Sequence, residues 1–143
     1  KGLELISEAQ FFIDGAQWRP EHRIPMISEL VKLCFRAGDR QKARTDADAL
    51  LTLFNLQRDK IVNIERAGAL RPLAEAYQSM GDTAVALEVY KRAVDEGVEN
   101  PNSRPRAEDL STTCLSMAVH GVEPDAVLWT RIRQINDGLG DPW

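Results

Sequence analysis

Apolar residues recur along this chain at the three- and four-residue intervals of an α-helix. No segment alternates apolar and polar positions long enough to demand a strand. The pattern predicts seven helices. The first spans 2–17 and carries Leu3, Leu5, Ile6, Ala9, Phe11, Phe12, Ile13 and Ala16 around more than one face, so it should be sandwiched or cover an open end. Residues 18–23 read as a connector, with Pro25 in the first turn of a second helix that ends at Ala37. In that helix Ile24, Ile27, Leu30, Val31, Cys34 and Phe35 fall at helical spacing. The third helix spans 40–55. The fourth spans 58–80 and contains Pro72, whose missing N–H and bulky ring predict a kink or break between 66 and 71. A fifth follows over 83–97. Asn100, Pro101, Asn102, Ser103, Arg104 and Pro105 read as a loop, and the remaining helices span 105–120 and 124–137. The tail ends in Trp143, expected to fold back on the last helix.

Gly38, Gly81 and Gly121 each stop a helix, a place that calls for left-handed backbone. Asp39 and Asp82 stand directly after two of them, where an N-cap acceptor belongs. Four residues before the three glycines stand Cys34, Tyr77 and Met117; seven before, Val31, Ala74 and Cys114; eleven before, Ile27, Leu70 and Leu110. Five after stand Ala43, Ala86 and Ala126. Alanine there would let the second helix of each hairpin press against the first. The expected hairpins cover 22–55, 58–97 and 105–137, with the first helix a cap or an orphan.

These positions resemble the tetratricopeptide repeat. The central unit matches at Leu70, Leu73, Ala74, Tyr77, Gly81, Ala86, Tyr90 and Ala93. The first matches at Leu30, Val31, Gly38 and Ala43 but has Ala47 and Leu50 where an aromatic and an alanine belong. The third matches at Leu110, Cys114, Gly121 and Ala126 and departs at Thr130 and Arg133, polar residues that suit a terminal repeat facing solvent. The turn glycines are 43 and 40 residues apart, against about 34 for the family. The excess is expected in a backward extension of the fourth helix (56–66) and in the loop at 99–104. Such spacing equally suits HEAT-type hairpins. The resemblance implies an all-α fold of antiparallel hairpins, stacked as a short right-handed α-solenoid in a single domain over 1–143.

Composition is that of a soluble globular protein, 43% hydrophobic and 28% charged in 143 residues. A net charge of −4, with no basic stripe interleaved with aromatics, argues against nucleic acid as a partner. No apolar run is long enough to span a bilayer, so no membrane role is expected. No leader is visible, which favours the cytoplasm, and a start at Lys1 suggests a piece of a longer protein. The two cysteines, Cys34 and Cys114, make no disulfide framework and read as small buried residues.

No catalytic constellation is evident. His22 and His120 have nothing to place them together, no Cys/His cluster has ligand spacing, and no glycine-rich phosphate loop or nucleophile elbow occurs. No cofactor or metal is expected. In this kind of stack the first helices of successive hairpins line a concave face. Residues there not needed for packing are Ser28, Lys32, Phe35 and Arg36, then Arg71, Glu75, Gln78 and Ser79, then Glu108, Ser111, Leu115 and Val119. Lys32, Phe35, Arg36, Arg71, Glu75 and Gln78 form the candidate partner groove, with a basic end at Lys32, Arg36 and Arg71. The carboxylate clamp known in the family is not carried over, since Ser28, Lys32, Pro72, Glu108 and Thr112 occupy its positions. The expected function is a noncatalytic protein- or peptide-binding scaffold. Self-association into a homo-oligomer, through the first helix or the apolar run 49–56, is the alternative, and a helical ligand-binding or enzymatic domain comes behind both.

Overall fold

A computed structural model describes residues 1–140; the expectation for Trp143 lies outside the described residues. Those residues form α1 (Gly2–Gly15), α2 (Pro20–Arg36), α3 (Arg40–Gln57), a 3-10 turn (Arg58–Lys60), α4 (Asn63–Ser79), α5 (Thr83–Gly97), α6 (Ser103–His120) and α7 (Ala126–Asp137). Among them there is no strand. The described residues are all-helical, and from α1 to α6 the helices pack as neighbours in sequence and as alternate neighbours: α2 on α4, and α4 on α6.

The three turns share one geometry. Gly38, Gly81 and Gly121 have φ of 101°, 81° and 67°, values that a residue with a Cβ resists. In each turn the N–H after the glycine donates back to the carbonyl five residues earlier: Asp39 to Cys34 at 3.2 Å, Asp82 to Tyr77 at 3.0 Å, Val122 to Met117 at 2.9 Å. Asp39 then caps α3 by accepting from the Lys42 N–H at 3.0 Å, and Asp82 caps α5 by accepting from that of Val85 at 3.3 Å.

Ala43 and Ala86, each in the first turn and a half after such a cap, are wholly buried. They let α3 press on α2 and α5 on α4. The third hairpin departs from this rule. Ala126 is exposed, because Val122, Glu123 and Pro124 intervene and the capping aspartate is Asp125, which accepts from the Leu128 N–H at 2.8 Å. Counted from its cap, α7 offers Trp129 where α3 and α5 offer alanine. It packs instead through Leu128, Ile132 and Ile135 and stands farther from its neighbours than α3 and α5 do.

Several expected boundaries move. α2 begins at Pro20, which takes the first helical position, so Pro25 lies inside the helix and not in its first turn. α4 is not extended back to 58. The chain leaves the helical path so that Ile61 can be fully buried in extended conformation, and Arg66 Nε donates to its carbonyl at 2.9 Å. α7 starts two residues after Pro124. α4 runs through Pro72 as one helix without the expected break. Leu70, Leu73, Ala74 and Tyr77 are buried around that proline, and their packing outweighs the single lost hydrogen bond.

The core centres on the α4–α5 hairpin, where Tyr77 and Tyr90 are the largest fully buried side chains. Cys34 is buried and Cys114 half-buried, and both are free thiols. Of the run 49–56, Leu50 and Phe54 are buried, Leu51 and Leu53 half-buried, and Ala49 and Leu56 exposed. α1 packs chiefly on α2. Ile6 is buried, while Leu5, Phe11 and Phe12 remain exposed, so α1 covers an end and is not sandwiched.

Candidate functional site

The first helices α2, α4 and α6 stand side by side in register with their turn glycines. Lys32, Glu75 and Leu115 each lie six residues before a glycine, and Arg36, Ser79 and Val119 two before. The structure confirms the first alignment chemically: Lys32 Nζ meets Glu75 Oε2 at 3.3 Å.

Glu75 is the hub of a polar network linking four helices. Its other oxygen accepts from Ser116 Oγ of α6 at 2.7 Å. Since the Ser116 proton is spent there, the Tyr90 hydroxyl of α5 donates to Ser116 Oγ, at 2.8 Å. Burial pushes the Tyr90 phenol up to about 12, with the Glu75 carboxylate adding to the rise while Arg71 opposes it. His120 Nδ1 lies 2.9 Å from the Ser116 carbonyl, and its Nε2 is 3.8 Å from Glu75. Arg71 reaches α6 in parallel, donating to Asp109 at 3.1 Å and Thr113 at 3.4 Å.

The six candidate residues are therefore brought to one region but divide by task. Lys32, Glu75 and Arg71 tie neighbouring first helices together; Lys32 is additionally paired with Glu29. The expected basic end is thus largely neutralised within the stack. Arg36 is exposed and makes no hydrogen bond or ion pair among the described residues. Phe35 is half-buried beneath the Arg40 guanidinium, which lies 5.5 Å from its ring centroid. Gln78, at the place on α4 that Phe35 holds on α2, has a buried Oε1 with no hydrogen-bond partner. On α6 the same face carries Leu115 and Val119, 63% and 70% exposed.

Asp109, Thr113 and Ser116 escaped the sequence reading, while Tyr90 entered it only as a repeat position and His120 only as a histidine with nothing placed beside it. The signal available was register: an acid on α4 level with a lysine on α2 and one residue out of level with a serine on α6.

Among the described residues no group of three or more His, Cys, Asp or Glu could hold a metal ion, and no helix is long and apolar enough to cross a membrane. A concavity of about 240 Å³ lies where the ends of α5 and α7 meet the start of α6, lined by Val98, Arg106, Arg131, Gln134, Ile135 and Gly138. It gathers no nucleophile or acid–base pair. No family model, curated protein or solved structure matches the chain.

Proposed function

We propose that the chain is a tetratricopeptide-like solenoid that binds a protein or peptide along the face of α2, α4 and α6. The observation that carries this reading is the exposed trio on that face: Arg36 with no internal partner, and Leu115 with Val119 uncovered by any other helix. The unpartnered acceptor at Gln78 lies between them in register. The face suits a segment with an acidic group near Arg36 and an apolar side chain over Leu115 and Val119. The role is scaffolding without chemistry.

Lys32 and Arg71 are poor probes, because changing them would loosen the stack itself. Arg36→Glu and Val119→Asp touch only the exposed face. A peptide array probed with the intact chain should give ligands that both variants weaken at least tenfold. Ligands bound equally well by both variants would reject this groove.

A further inference from the structure

The face of α2, α4 and α6 changes its chemistry from one helix to the next. α4 packs against both α2 and α6 and so stands between them. At the level two residues before the turn glycines, α2 presents Arg36 and α6 presents Val119, with Leu115 one turn earlier on α6. Between them α4 presents polar groups. The Ser79 hydroxyl donates to the Ala76 carbonyl at 2.8 Å, which leaves its oxygen able to accept a further hydrogen bond. Gln78 is half-buried; its Oε1 is the buried atom, and its Nε2 makes no hydrogen bond among the described residues. Glu75 is already engaged by Lys32 and Ser116.

This order decides between a helical and an extended occupant. A helix spends its backbone groups on itself and docks through an apolar stripe along its length. At this level α4 offers no such strip, because Gln78 and Ser79 are polar. An extended segment keeps N–H and C=O groups free for outside partners, and Ser79 and Gln78 supply an acceptor and a donor for them. Spacing follows from the packing. Neighbouring helix axes lie about 8–10 Å apart, so Arg36 and Val119, two such steps apart, are separated by about 16–20 Å. An extended chain covers that distance in about five or six residues at ~3.3 Å each, a helix in about eleven to thirteen at ~1.5 Å each. We infer that the face takes an extended peptide crossing α2, α4 and α6 in turn. Its carboxylate side chain meets Arg36, its backbone is held at Gln78 and Ser79, and an apolar side chain about five or six residues away lies on Val119 and Leu115. This rests on the binding reading above and adds to it the conformation and spacing of the ligand.

The test uses the intact chain and labelled peptides followed by fluorescence anisotropy. Each peptide carries one aspartate and one leucine, in either order, set two, five or twelve residues apart; the longest is made both with a flexible spacer and with a helix-forming one. The five-residue peptide should bind at least tenfold tighter than the others, in one of the two orders. Arg36→Glu and Val119→Asp should each weaken it tenfold or more. Methylating the backbone nitrogens midway between its aspartate and leucine should weaken it several-fold, and Ser79→Ala should shrink that loss. Binding that both variants weaken but that ignores the spacing, or that favours the helical twelve-residue peptide, would overturn the extended crossing and leave the face itself standing. Binding indifferent to both variants, or no binding of any peptide, would overturn the inference together with the reading it rests on.

Discussion

Glu75 joins the packing of the stack to its candidate binding face, and replacing it by glutamine tests that link. The substitution keeps shape and leaves an oxygen for Ser116, but it removes the charge facing Lys32 and His120. At 3.3 Å two unit charges attract by about 5 kcal/mol at an effective dielectric of ~20. Most of that is offset by the cost of taking both groups out of water. Some attraction is also screened, because 13% and 18% of the two side chains remain exposed. Lys32 keeps Glu29. A net loss of about 1–2 kcal/mol follows, which in a domain of this size lowers the melting temperature by about 3–8 °C. A double-mutant cycle with Lys32→Met, read by thermal melting, should show a coupling of about 1 kcal/mol. Amide exchange should quicken modestly along α6 as well, since the charge-assisted bond from Ser116 to Glu75 is one of its ties to α4, beside those made by Arg71. Strict additivity of the two substitutions would refute the claim that the pair holds α2 against α4.

Glu96 makes a prediction about acid. Its side chain is 2% exposed beside Arg58, Arg92 and Arg66. Burial pushes its carboxyl up, but hydrogen bonds from Arg58 and Arg92 outweigh that and hold it below the usual carboxylate range. The folded state thus binds this proton less readily than the unfolded state. The stability Glu96 contributes is complete above about pH 4.3 and drains as pH falls further. The difference in melting temperature between the native chain and Glu96→Gln should shrink between neutral pH and about pH 3, and a constant difference would contradict this. Asp82→Ala should cost about 1 kcal/mol through the lost cap and somewhat more through its ion pair with Arg44; an unchanged melting curve would remove Asp82 from both roles.

The helical class and the turns were legible because they rest on local rules. A glycine at positive φ followed by a capping aspartate reads the same wherever it occurs, and Gly38–Asp39 and Gly81–Asp82 form as expected. The misplacements share a cause: a long-range demand overrode a local signal. Ile61 needed burial, so α4 starts at Asn63 although the intervening residues are compatible with helix. Pro72 predicts a kink or break in α4; the helix is not broken there, and its buried neighbours hold it together. Ala126 satisfied the spacing from glycine, while the fold counts from the capping aspartate, which in the third turn lies three residues later. The candidate groove shows the same limit. Periodicity placed Lys32, Glu75 and Arg71 near one another, and the structure puts Lys32 within 3.3 Å of Glu75. Periodicity could not show that Ser116 and Asp109 would arrive from α6 to engage Glu75 and Arg71. A charge on a first helix is free to meet a ligand only if the neighbouring first helix lacks its complement at the same level. Arg36 meets that condition: its counterparts at the same level are Ser79 and Val119, and neither carries an acid.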